Sequence, residues 1–192
     1  MNVLNRLLVP LVILTSLSCQ ANEPPPINEK LVKKLVQHYF SDQAKINAKN
    51  KSYFKSGDFN GDMIQDLAVL IHPKIKPKSS AQLQVSMPWV YPGVKGGDVY
   101  RTSLVIFHGN KQGWFAEKSR AFVFLDTSGT METPSFELLV IGKGDQDYKD
   151  HSSLLSISTS NDLIIIPTEA GIDTYIYWKK DQYKLFEPEE MP

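Results

Sequence analysis

Oxygen-bearing side chains recur at close, regular spacing in one stretch of this chain, Gly57-Asp58-Phe59-Asn60-Gly61-Asp62-Met63-Ile64-Gln65-Asp66-Leu67-Ala68-Val69-Leu70. With Asp58 as position 1, Asn60, Asp62 and Asp66 fall at positions 3, 5 and 9, and the carbonyl of Ile64 fills position 7. Alternate positions of a tight loop turn inward around one centre, and calcium, a hard cation, takes six to eight oxygens at about 2.3–2.6 Å. Magnesium suits the pattern less, because it keeps several waters and rarely takes an all-protein cage. The same residue types also build turns that bond their own backbone and hold no metal. Three converging carboxylates without a cation would repel one another, however. The spacing therefore predicts a Ca2+ site made by Asp58, Asn60, Asp62, Ile64 and Asp66, with water completing the shell.

This stretch resembles the FG-GAP or VCBS-type repeat, the calcium loop of integrin-like β-propellers and of many bacterial envelope proteins, whose pattern is roughly D-F-N-G-D-G-x-x-D-L-A-V. It departs from that pattern at Met63, where the family usually has glycine for a positive-φ turn. The resemblance implies a chiefly structural ion that clamps the start of a strand, a role carried here to Asp58, Asn60, Asp62 and Asp66. Propellers repeat such a loop from blade to blade, whereas this sequence carries one. Asp145, Asp147 and Asp150 form the other acidic cluster, with Lys149 where a second loop needs its third oxygen. A single repeat and the chain length exclude a full propeller. More loosely, the whole chain resembles small exported proteins that pair one such loop with a meander ending in an aromatic hairpin, here Tyr175-Ile176-Tyr177-Trp178 and Tyr183-Lys184-Leu185-Phe186.

No catalytic signature accompanies the loop. The four histidines, His38, His72, His108 and His151, stand at no metal-ligand spacing from one another, so zinc is not indicated. There is no G-x-S-x-G elbow, and no S-x-x-K precedes a plausible helix. Glu132, Glu137 and Glu169 read as solvated acids. The chemistry points to a non-catalytic protein, against the rival of a hydrolase whose site is assembled from unrecognised residues.

The first residues say where the chain works. Met1-Asn2-Val3-Leu4-Asn5-Arg6 carries one positive charge, and a run of apolar residues over 7–14 follows, broken by Pro10. That is the order of a secretion signal, and the run is too short to span a membrane. Ser16-Leu17-Ser18-Cys19 resembles the lipobox of bacterial lipoproteins, although Ser16 stands where leucine is expected and Leu17 where a small residue is expected. Lipidation of Cys19 and ordinary cleavage after Ser18 or Ala21 are the two readings. A lone cysteine lacks a disulfide partner in an oxidising compartment. The proline-rich 20–26 stretch reads as a tether. The expected layout is a signal at 1–21, a tether at 22–28 and a single β-rich domain at 29–192, in the periplasm or anchored to a membrane.

Lysine plus arginine equals aspartate plus glutamate at 21 each, so no basic excess supports nucleic-acid binding. Asn28 reads as the N-cap of an amphipathic helix, with Ile27 and Val32 as a hydrophobic staple and Leu31, Val32, Leu35, Val36, Tyr39 and Phe40 at helical spacing. Short β-type runs follow at 66–71, 100–107, 114–118, 121–125, 136–141, 153–157, 163–166, 174–178 and 183–186, with hairpin turns at 108–113 and 179–182. They are too short and close for βαβ crossovers, so the fold class is mainly β, an antiparallel, propeller-blade-like meander with one N-terminal helix.

The long 72–99 connection, rich in proline and lysine, exceeds what a simple link needs. Within it 83–87 is a candidate edge strand, and Trp89 and Tyr91 are candidate partner contacts, since hot spots favour Trp and Tyr. The functional expectation is an exported envelope binding module, in its sharper form an inhibitor or immunity protein against an envelope-acting toxin or hydrolase. Its partner is a protein or glycan, and the one membrane attachment open to it is a lipid on Cys19, on the reading in which that residue is acylated.

Overall fold

The computed structural model describes residues 26–49, 52–89, 101–127, 129–132, 136–150, 161–167 and 173–187. The signal segment, Cys19, Tyr91 and the 153–157 run lie outside them. Helix α1 (Glu29–Phe40) begins where Asn28, extended at φ −151°, accepts the Leu31 N–H at 3.0 Å. This satisfies one of the amide donors that a helix start leaves open. Its buried stripe is Leu31, Val32, Leu35, Val36 and Phe40. The Ser41 N–H closes the last turn on the Gln37 carbonyl at 2.9 Å.

Six strands form the first sheet: β1 (Ala44–Ile46), β2 (Phe54–Gly57), β3 (Asp66–Pro73), β4 (Leu83–Trp89), β5 (Ser103–Phe107) and β6 (Ala121–Asp126), in the order β1-β3-β5-β6-β4. β1 and β2 lie end to end along one edge of β3, against 71–73 and 66–69 respectively. Between them Leu70 still has both backbone partners, donating to Tyr53 at 2.8 Å and accepting from Asn47 at 3.0 Å. A second, fully antiparallel sheet holds β7 (Leu139–Ile141), β8 (Leu163–Ile166), β9 (Thr174–Lys179) and β10 (Gln182–Phe186), in the order β10-β9-β8-β7.

β5 and β6 are buried along their whole length, and β3 is buried everywhere but at His72. Successive side chains on a strand point to opposite faces, so both faces of the first sheet are covered. Phe107 meets Tyr39 and Phe40 of α1, ring centroids 5.3 and 6.5 Å apart. Phe122, on the opposite face because its cross-strand partner is Ile106, meets Trp178 and Tyr183 at 5.3 and 5.0 Å. The layers run helix, sheet, sheet, with a continuous apolar core from α1 to β9. Double burial explains why the central strands read as unbroken apolar runs rather than alternating ones.

The protein is thus mainly β with antiparallel pairing dominant, and three details differ from the sequence expectation. β4 is an edge strand as expected, but it runs parallel to β6, with a register shift between Ser86 and Trp89 that brackets Pro88. Proline has no N–H for a ladder, and an edge bulge accommodates it. Residues 114–118 form turns instead of a strand, and Trp114 is 5% exposed, so its apolar signal reports burial in the core. The strands β1 and β2, both very short, lack a run long enough to show a period. The 179–182 turn is as expected: Lys180 and Asp181 have φ of 51° and 59°, the two-residue geometry whose twist matches an antiparallel hairpin.

Candidate metal centre

The loop between β2 and β3 is organised around its last acid. Asp66 opens β3, is 0% exposed, and accepts three backbone N–H groups. Oδ2 takes those of Phe59 at 3.0 Å and Asn60 at 3.2 Å, and Oδ1 takes that of Gly109 at 2.9 Å. The other loop acids face the loop backbone. Asp58 accepts from Gly61 at 2.8 Å and Met63 at 3.0 Å, and Asp62 accepts from Ile64 at 2.8 Å. Asn60 accepts the Asp62 N–H at 3.0 Å and donates its amide to the Asp62 carboxylate at 3.1 Å. The sequence-predicted side chains are therefore gathered into one loop and bonded to its amides. Among the described residues no three His, Cys, Asp or Glu side chains converge as a ready-made ion cage.

Met63 resolves the departure from the repeat pattern. Its φ is 65°, in the left-handed region a glycine would supply, and its side chain is 87% exposed. The turn is made without glycine, at a steric cost of about 1–2 kcal/mol for an L-residue.

Charge at the centre is unbalanced. Burial, together with the charges of Asp62 and Asp58, pushes the Asp66 carboxyl from 3.8 up to about 8, against the opposing pull of the Gly109 and Phe59 N–H groups. None of the described residues pairs a positive charge with it. Three N–H donors suit an ionised carboxylate, whereas desolvation and two neighbouring acids oppose it.

Three residues outside the motif hold the loop. Asp162, at the start of β8, accepts the Asp58 N–H at 2.8 Å and the Lys143 N–H at 3.0 Å, while its own N–H reaches the Asp58 carbonyl at 2.9 Å. It ties the loop to the second sheet. Gly109 must be glycine, because a Cβ there would stand 2.1 Å from the Gln65 carbonyl oxygen. His108, 8% exposed, takes the Asn60 amide on Nδ1 at 3.3 Å and contacts the Tyr183 hydroxyl through Nε2 at 2.8 Å. An amide nitrogen only donates, so Nδ1 is the bare nitrogen and Nε2 carries the proton. Its ring packs among Phe122, Trp178 and Tyr183 at 4.7, 5.0 and 5.6 Å. Burial lowers the imidazole from 6.5 to about 4, and it raises the Tyr183 phenol well above its ordinary value, helped by Asp66, Asp58 and Asp62. Asp162 lies 104 residues from Asp58, so no local spacing could have singled it out.

Asp145 accepts the Gly142 N–H at 2.7 Å and shapes a turn. Trp89 ends the edge strand β4, and Tyr91 is outside the described residues. At the opposite end of β3, His72 Nδ1 stands 3.4 Å from the Thr102 hydroxyl and Nε2 stands 3.7 Å from Glu132. This hydroxyl–imidazole–carboxylate row has the composition of a nucleophile relay. Thr102, however, is 1% exposed and its oxygen is taken by the Asn47 amide at 2.8 Å, so the hydroxyl faces no substrate.

Two outcomes are expected. His108 is neutral in the folded protein down to about 4, while an unfolded imidazole titrates near 6.5, so its contribution to stability is intact above 6.5 and is lost as pH falls through that window. Asp66 acts in the opposite sense, lowering calcium-free stability as pH rises from about 4 to about 8. An NMR titration of the His108 ring should find it unprotonated at pH near 5.5, and a midpoint near 6.5 would contradict the buried, neutral assignment. Met63→Gly should raise calcium-free stability by about 0.5–1 kcal/mol, the relieved strain less the entropy that glycine loses, with Met63→Ala near neutral. Denaturant midpoints measure both, and no gain in the glycine variant would mean the turn is unstrained.

Comparison of the chain with protein-family models, with curated proteins and with solved structures finds no match.

Proposed function

We propose that this chain is an exported envelope protein without catalytic activity, in which a calcium ion held by Asp58, Asn60, Asp62, the Ile64 carbonyl and Asp66 stiffens the junction of β2, β3 and the His108–Gly109 turn. Its surface loops and the β4 edge then meet a protein or glycan partner in the envelope, the sharper version being inhibition of an envelope-acting toxin or hydrolase. The observation that carries the metal reading is the buried carboxylate of Asp66, which has two further acids near it and no positive partner among the described residues. A divalent cation bonded to the remaining lone pair of Oδ1 offsets that repulsion and keeps the carboxylate ionised, the form its three N–H donors suit. Asp58 is half-buried and Asp62 is exposed, so each can turn an oxygen from the loop backbone toward an ion at small cost. The signal segment supports export, and the short proline-rich stretch supports a tether to a membrane through lipidated Cys19.

Calcium at a hundredfold excess over its Kd should stabilise the folded protein by about 2.7 kcal/mol, seen as a raised Tm. Magnesium should do less. Asp58→Ala and Asp62→Ala should lose the calcium response, and an unmoved Tm in the parent, or equal responses in the variants, would rule the site out. Capture from an envelope extract, with calcium and with a chelator, asks whether the partner surface depends on the clamp.

A further inference from the structure

The polar face of α1 is left open by the fold. Lys30, Lys33, Lys34, Gln37 and His38 are all exposed, and their spacing sets them on one stripe. Beside the stripe stands Phe115, 46% exposed, its ring edge-on to His38 at 5.3 Å. Lys33, Lys34, Gln37, His38 and Phe115 together line an open depression of about 540 Å³, and no carboxylate is among the described residues that line it. The acid on this helix, Glu29, meets Lys33 at 3.7 Å with both side chains about two-thirds exposed, a contact that water and salt screen. Lys33 and Lys34 beside an exposed aromatic ring, with Lys30 further along the same stripe, match the two layers of a bilayer surface, anionic headgroups above an apolar boundary.

We propose that this face docks on an anionic phospholipid surface, with Lys30, Lys33 and Lys34 over the headgroups and Phe115 entering the boundary beneath them. The apolar stripe of α1 is spent in the core, so the helix does not sink into the interface as a free amphipathic peptide would. Only its polar face and Phe115 make the contact. Chain length favours a membrane over a protein as the occupant. Cys19 precedes the helix cap Asn28 by nine residues, which reach no more than about 30 Å fully extended. A lipid on Cys19 therefore holds the basic face close to headgroups. The setting rests on the exported, lipid-anchored reading given above, while the surface affinity is a property of the face alone.

The test uses the mature chain with Cys19→Ser, which cannot be acylated, and vesicles of phosphatidylglycerol and phosphatidylcholine mixed about 1:2, against phosphatidylcholine alone. Co-sedimentation at low salt should find binding to the mixed vesicles only. Each lysine contributes about fivefold, so the Lys30→Gln, Lys33→Gln and Lys34→Gln triple variant should bind roughly 100-fold more weakly. Phe115→Ala should lose several-fold, and salt should weaken the parent more than the triple variant. All four positions are exposed, and matching melting curves confirm that the variants fold. The proposal is overturned by equal binding to both vesicle types, by a triple variant that binds like the parent, or by no vesicle binding at all, the last leaving an acidic protein as the occupant. Mass spectrometry of the exported protein reads acylation of Cys19 separately, so failure of the anchor and failure of the face are told apart.

Discussion

One buried carboxylate organises this protein. Asp66 is where the acidic loop becomes the central strand, and its oxygens gather N–H groups from the loop itself and from Gly109 beyond the end of β5. A charged or partly charged group in so dry a position is held only while every donor stays in place, because an unpaired buried carboxylate is costly. The glycine at 109 follows from that demand, since any side chain there would strike the Gln65 carbonyl. The glycine at 57 has a separate reason: a Cβ there would stand 2.7 Å from Asp162 Oδ2 and from the Phe59 ring.

From Asp66 the constraint spreads into both sheets. Asp162 fastens Asp58 to the start of β8, and His108 joins Asn60 to the phenol of Tyr183 on β10. The aromatic ring set of His108, Phe122, Trp178 and Tyr183 fills the space between the sheets directly behind the loop. A cation at the loop would therefore act on more than a turn: it would stiffen the point where two sheets and the β5–β6 connection meet. This is how a small ion could set the positions of surface loops remote from it, through packed side chains with little room to move.

Much of this was legible in the sequence where the cause is local. Asn28 caps the helix it precedes, the 1, 3, 5, 9 oxygens fall in one loop, and Lys180 with Asp181 make the turn their neighbours require. What escaped is what depends on distant chain. Asp162 carries no mark of its role until folding brings it beside Asp58, and Gly109 looks like any hairpin glycine until Asp66 is set against it. The parallel pairing of β4 is likewise a matter of which edge was free, and Trp114 and its neighbours mimic a strand because burial and β-pairing select the same residues. Met63 is the instructive case: nothing in its side chain marks a left-handed residue, and the structure gives it a φ of 65°.

The calcium clamp is tested most directly by a crystal structure of the protein grown in millimolar calcium, with the ion identified by its anomalous scattering. One calcium is expected there, bound to oxygens of Asp58, Asn60, Asp62, the Ile64 carbonyl and Asp66 at about 2.3–2.6 Å, with the Gly109 N–H still on Asp66. A loop that holds no ion among those oxygens at that concentration would contradict it.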